Sequence, residues 1–237
     1  MALDSSRVWL ITGTSSGFGR RLVPSILRRG DKVIATARKI DSIQHIFTPT
    51  DSLHLLELDT SAEEATIKLK AQEALNLWGK VDVLINNAGY SLKILAEDAT
   101  ETLAQELSSS GFPNIRIVIV EPSGFRTEQN VLGYPMQVPT DPDPAYDSLR
   151  ARIQANLEAL DLNQSGDPDK AVEVIVDAVR GEGRAEGKEW PLYLPLGRDA
   201  NKDIETKCVK MLTAVKDWKE VTDYLDINQS QAKAELI

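Results

Sequence analysis

Residues 12–19 read Thr-Gly-Thr-Ser-Ser-Gly-Phe-Gly. Glycines at this spacing, Gly13, Gly17 and Gly19, suit a loop whose backbone must turn tightly and lie against an anion. Ser15 and Ser16 add hydroxyl donors, and Phe18 separates the last two glycines. The apolar run 8–11 ahead of the loop reads as a strand buried on both faces. Residues 18–29 behind it carry helical spacing through Phe18, Leu22, Ile26 and Leu27, with a bend expected at Pro24 and a stop at Gly30. A helix that starts on such a loop presents N–H groups and the positive end of its dipole to a phosphate. The expected ligand is the pyrophosphate of a dinucleotide.

Two further residues refine that expectation. A second strand, 32–37, ends in Arg38-Lys39. Sites that bind NAD place a carboxylate near this point for the ribose hydroxyls, whereas Arg38 offers a fork to a 2′-phosphate. NADP is therefore expected in preference to NAD. Asp59 follows the third strand, 53–58, where it can accept a hydrogen bond from the adenine amino group or cap the next helix.

The elements that must position these residues alternate regularly. Ser61 is expected to cap a helix over 61–77, and 81–86 is a fourth strand. Alternating strands and helices imply a Rossmann-type, doubly wound parallel sheet. Beyond Gly89 the rhythm is abbreviated to a helix over 97–109 and a strand over 115–120. A proline- and aspartate-rich loop follows at 130–146, then helices over 148–160 and 169–180. An edge strand over 190–195 tolerates its prolines, and an amphipathic helix over 204–224 precedes a polar tail.

A chain of 237 residues suffices for one large α/β domain. That single domain comprises a dinucleotide-binding half, 1–90, and a shortened second half, 91–237, with a substrate loop and the C-terminal helix. The formal net charge of −9 disfavours nucleic acid and anionic lipid. A single cysteine, Cys208, fits a reducing compartment, and His45 and His54 lack clustered partners, so no metal site is expected. No apolar run approaches bilayer length, and the expectation is a soluble, cytoplasmic protein without membrane contact.

Together with Asn86-Asn87-Ala88-Gly89 at the end of the fourth strand, these residues resemble the short-chain dehydrogenase/reductase family. The resemblance extends through Leu103–Leu107, which looks like the end of the family's long helix. It extends also through Glu121–Thr127, which looks like its nicotinamide-contacting loop, and through the 190–200 stretch. It implies an oxidoreductase acting on a small apolar alcohol or carbonyl compound. It places Asn87, Ala88 and Gly89 beside the adenosine, and Pro122 and Thr127 beside the nicotinamide. Ser123 stands where the family usually has glycine.

A larger departure concerns the catalytic segment. In the family, a helix bearing asparagine, a strand bearing serine and a Tyr-x-x-x-Lys segment lie between the fourth strand and the long helix. The tyrosine acts as general acid and base, assisted by the lysine and the serine. Here Gly89 and Leu103 are separated by too few residues for a further βα unit. Tyr90 has Lys93 at three residues instead of four. Tyr134, Tyr193 and Tyr224 have Val138, Gly197 and Asn228 at four. Tyr146 and Arg150 keep spacing and charge but sit at the proline-rich loop, so no catalytic residue is assigned.

The chain is thus expected to fold with six parallel strands where the family has seven, the strand from Ile115 moving in beside the fourth. It should lack the helix that forms family dimers and leave an apolar helix face partly uncovered. The expected function is that of an NADP-binding oxidoreductase by family, impaired in catalysis. The alternatives are a non-catalytic NADP-binding or partner protein and the product of mis-splicing or a faulty gene model. A Rossmann methyltransferase is disfavoured by Asn86–Gly89 and Arg38.

Overall fold

The computed structural model describes residues 6–89, 93–112, 114–127, 143–160 and 163–225. Tyr90, Tyr134, most of the 130–146 loop and the polar tail lie outside them. The first half builds β1 (Val8–Ile11), α1 (Gly17–Arg28), β2 (Lys32–Ala37), the short α2 (Asp41–Gln44), β3 (Leu53–Glu57), α3 (Glu64–Trp78) and β4 (Val83–Ile85). The second half builds α4 (Lys93–Ser109), β5 (Ile119–Pro122), α5 (Asp147–Leu160), α6 (Pro168–Arg180), β6 (Tyr193–Leu196) and α7 (Arg198–Thr222). This is the expected α/β Rossmann architecture.

Six parallel strands are present among the described residues, but they form two sheets. One has the order β3-β2-β1-β4 and the other pairs β5 with β6. The expectation that the strand after α4 would pair beside β4 is corrected. That strand begins at Ile119 instead of Ile115, and its ladder partner is Tyr193 on β6. Continuous hydrogen bonding to β6, from Ile119 N–H to Leu192 O through Ser123 N–H to Leu196 O, fixes this pairing. Among the described residues β4 is left as an edge, and Leu84 at its middle is 55% exposed.

Alternation along the strands sends residues to two unequal layers. Trp9, Ile11, Val33 and Ala35 pack against Leu22, Val23 and Ile26 of α1 and Ala171, Val172, Ile175 and Val176 of α6. On the opposite face Val8, Leu10, Ile34 and Leu56 meet only Ala74 as a buried residue of α3, and Leu69 of that helix stays exposed. The first layer is fastened by a polar network across α1 and α6. Arg29 pairs with Glu173, Asp177 and Glu182, and Ser25 donates to Glu173. Asp31, 2% exposed, accepts hydrogen bonds from the Trp9 indole, the Arg7 amide and Arg180.

Smaller corrections concern helix ends. α3 is capped at Glu63 and not at Ser61, because Asp59 captures the Ser61 amide and hydroxyl in a preceding turn. Pro24 lies inside α1 without ending it. α6 begins at Pro168 because the Asp167 carboxylate accepts from the Asp169 and Lys170 amides and proline suits the first turn. The last strand is displaced from 190–195 to Tyr193–Leu196, and α7 starts earlier than residue 204, directly after Gly197. Among the described residues no helix is long and apolar enough to cross a membrane.

Candidate dinucleotide site

The loop from Thr12 to Gly19 is held from three sides. Thr14 is fully buried, and both its amide (2.9 Å) and hydroxyl (3.1 Å) donate to Thr36 O at the end of β2. From the β4 side, Asn87 Nδ2 donates to Thr12 O and Gly13 O, each at 2.9 Å. The Thr12 hydroxyl accepts from the amides of Asn87 and Ala88, both at 2.9 Å, and donates to Ile85 O. The glycine loop and the Asn-Asn-Ala-Gly segment are therefore one hydrogen-bonded body, each bracing the other.

Two glycines have identifiable reasons. Gly13 has φ +71°, and a Cβ there would lie 2.9 Å from Ala88 Cα. Gly19 is buried, and a Cβ there would lie 2.6 Å from Asn87 Nδ2 and closer still to Gly13 O. The crossing of the loop over the start of α1 leaves no space for a side chain. Ser16, the N-cap of α1, makes no side-chain capping bond, and the first turn contains no acidic residue. The positive end of this 12-residue helix is thus not neutralised by its own side chains, which suits an anion.

The remaining expected contacts are distributed around this loop. Arg38 is exposed directly after β2. It acts on Asp59 by its charge, so the ends of β2 and β3 are neighbours. The Asp59 carboxyl is held below its ordinary value first by the Ser61 hydroxyl, then by the Ser61 amide, with Arg38 adding a smaller effect. Asp59 thus combines a turn-capping role with a carboxylate near Arg38. Ser15, Ser16, Gly17 and Phe18 are all half-buried, whereas Ala88 and Gly89 are exposed.

The second sheet contributes the opposite side. Phe125, just past β5, meets Phe18 edge to face at 5.3 Å between ring centres. This contact brings the segment containing Pro122 and Thr127 to the glycine loop. Backbone bonds between Gly124 and Gly166, and between Arg126 and Gly166, hold that segment against the entrance to α6. Gly197 is needed where the chain passes Ser123, because a Cβ there would collide with the serine hydroxyl. Ser123 is therefore engaged with the end of β6. Arg150 donates to Asp143 O at 2.7 Å and bonds Asp147, and Tyr146 is 56% exposed. Among the described residues no group of three or more His, Cys, Asp or Glu is placed to hold a metal ion.

Comparison with known proteins agrees with this arrangement. The family model described as short chain dehydrogenase matches residues 7–101. A solved short-chain dehydrogenase from Streptomyces avermitilis superposes with a TM-score of 0.74 at 26% identity, covering 94% of this chain and 100% of that one. The chain is thus similar to the short-chain dehydrogenase/reductase family, in sequence over residues 7–101 and in fold over nearly its whole length. Oxidoreductase BOA17 of Botryotinia fuckeliana is 25% identical over 282 residues, covering 92% of this chain and 98% of the relative. The NADP-dependent 3-hydroxy acid dehydrogenase YdfG of Shigella flexneri is 34% identical over 88 residues, which cover 35% of this chain and 34% of that protein. The likeness to YdfG is thus confined to about a third of its length.

Sequence reasoning did not single out Thr12, Thr14 and Thr36 as the hydroxyls that lock the loop. Their signal was present: threonines at the ends of otherwise apolar strands must find carbonyl partners once buried. Phe125 was also missed as the ring that joins the two sheets.

Proposed function

We propose that this chain holds NADP in the loop between β1 and α1, in preference to NAD, and that it turns over carbonyl or alcohol substrates poorly or not at all. The carrying observation for binding is the N-terminus of α1, not capped by its own side chains, in a cradle too tight for a Cβ at Gly19. Backbone N–H groups of the loop other than that of Thr14, which is spent on Thr36 O, would hold the pyrophosphate, with Ser15 and Ser16 as hydroxyl donors. Arg38 would hold the 2′-phosphate and Asp59 the adenine amino group. Asn87, Ala88 and Gly89 would line the adenosine side, and Pro122 and Thr127 the nicotinamide side. A bound nicotinamide supplies or accepts hydride. The NADP dependence in the name of the Shigella relative supports the preference, since its similarity covers a region of this size.

Impairment is supported by what the chain lacks between β4 and α4. No serine with a Tyr-x-x-x-Lys segment is present in the sequence, and Arg150 is engaged by Asp143 and Asp147. The alignment with the Botryotinia oxidoreductase runs over 282 positions and draws on 92% of 237 residues. More than sixty positions of that alignment therefore have no counterpart here. The unpaired edge of β4 is consistent with a strand missing from that slot.

Fluorescence titration with NADPH and NADH, followed by assay of NADPH oxidation with a panel of ketones and aldehydes, tests the proposal. Saturable NADPH binding without carbonyl-dependent oxidation is expected. Replacing Arg38 by alanine should weaken NADPH by about 10–100-fold, the value of one charge-assisted hydrogen bond, and NADH far less. Equal affinities for the two cofactors would remove the preference, and brisk turnover would remove the impairment.

A further inference from the structure

α7 is unlike the other helices. From Glu205 to Asp223 every residue is exposed, and Ala200 is its only buried residue. Yet the helix is not polar all round. Met211, Leu212, Val215 and Trp218 are each at least 60% exposed. A helix of 25 residues extends about 37 Å, and most helical stability in water comes from packing an apolar face.

One stripe along the helix follows a strict rule. Ile204, Cys208, Met211, Val215, Trp218, Thr222 and Leu225 succeed one another at alternating intervals of four and three residues. That is the 3.5-residue repeat of a coiled-coil seam sustained over three heptads. A helix surface with this repeat fits another helix with the same repeat.

We infer that α7 docks against α7 of a second copy of this chain, antiparallel, about a two-fold axis near Thr213. In that register the seam layers are Ile204 with Thr222, Cys208 with Trp218, and Met211 with Val215, each formed twice. One flank of the seam pairs Leu212 with itself across the axis and Glu205 with Lys219. The other pairs Ala214 with itself and Lys207 with Val221. Every layer is apolar or weakly polar, and the flanking charges that face each other are opposite in sign. A parallel pair would instead set Lys207 against Leu212 and Ala214 against Lys219, with no charge match. Lys219 also reaches Asp223 of its own helix at 3.3 Å, an exposed pair that constrains it little. The helix carries six basic and five acidic residues, so it lacks the cationic face that anionic lipid would select.

Sedimentation equilibrium of the full chain up to about 100 µM tests this reading, with circular dichroism to confirm folding. A reversible dimer is expected, abolished by Val215→Glu, whose site is exposed in the single chain. Glu205→Lys and Lys219→Glu should each raise the dissociation constant about tenfold or more, by making two like-charged pairs. The double charge reversal should restore the wild-type value to within about threefold. A monomer at every concentration overturns the inference. So does a dimer indifferent to Val215→Glu, or one that weakens additively in the double reversal. Binding of the monomer to phosphatidylserine-containing vesicles, lost in Val215→Glu, would assign the face to lipid instead.

Discussion

Replacing Gly19 by alanine isolates the close approach on which the dinucleotide reading rests. The new Cβ would sit 2.6 Å from Asn87 Nδ2, against an optimal non-bonded separation of about 3.5 Å. The Asn87 side chain must retreat by about 1 Å and, because Gly13 O lies closer still, the start of α1 must shift as well. Retreat breaks two hydrogen bonds, to Thr12 O and Gly13 O. Their loss at roughly 0.5–1.5 kcal/mol each, with overpacking at roughly 1–3 kcal/mol, gives a destabilisation of about 2–6 kcal/mol. For a chain of this size that lowers Tm by roughly 4–24 °C. Displacing the loop also misdirects its N–H groups. Two charge-assisted bonds lost at roughly 1.5–3 kcal/mol each weaken NADPH by about 10²–10⁴-fold.

The control is Gly17→Ala. Gly17 has φ +58° with open space around it, so alanine there costs only the left-handed conformation, about 1–2 kcal/mol. Thermal denaturation of both variants, with and without NADPH, separates steric from conformational cost. If Gly19→Ala is no less stable than Gly17→Ala and binds NADPH as the wild type does, the close-approach argument fails.

Other expectations follow from the same contacts. Asp31→Ala strands the buried Trp9 indole N–H and leaves Arg180 to Glu182 alone, and urea unfolding should show a loss of about 1–3 kcal/mol. Burial pushes the Glu173 carboxyl up, but the Ser25 hydroxyl and the Arg29 and Arg28 charges outweigh it and hold it below its ordinary value. Asp82 is likewise lowered, with Lys80 and the Val8 amide outweighing burial. A depressed folded pKa contributes stability that is complete above about pH 5 and lost as pH falls through the folded value. Glu173→Gln should therefore flatten the acid limb of a Tm-against-pH curve, and an unchanged limb would contradict the assignment. Leu84→Thr should reduce dye binding to exposed apolar surface while changing unfolding free energy by no more than about 0.5 kcal/mol.

The parts of this molecule that were legible in the sequence are those specified locally. Gly13, Gly17 and Gly19 follow a buried strand directly, and the boundaries of β1, β2 and α6 lie within a residue or two of the pattern that announces them. Asp167-Pro168 and Gly181 bracket α6 with cap chemistry that needs no tertiary information. The pairing of β5 was not legible, because residues 115–120 are as apolar and β-branched as a strand in either position would be. Which neighbour it takes depends on β6, seventy residues further on, and hydrophobic pattern carries no such distance. The choice of Glu63 over Ser61 as the α3 cap was hidden for another reason. Asp59 competes for the same hydroxyl and amide, and its carboxylate is the stronger acceptor.

The dinucleotide cradle persists beside an open sheet edge because its supports bypass that edge. Thr36, Asn87, Ala88 and Ile85 hold the loop from β2 and β4, all upstream of residue 90. α6 reaches α1 through Val172, Val176 and the Arg29 network without any residue between β4 and α4. Phe125 meets Phe18 from a strand whose ladder lies wholly with β6. Each contact joins a residue before 90 to one after 120, or stays within the first 90. On the function proposed above, a chain shortened between β4 and α4 would forfeit a strand, the proton-transfer groups and the packing over Leu84, while the groups proposed to face a pyrophosphate would remain in register. Binding and catalysis would then be separable, because different stretches of chain would hold them in place.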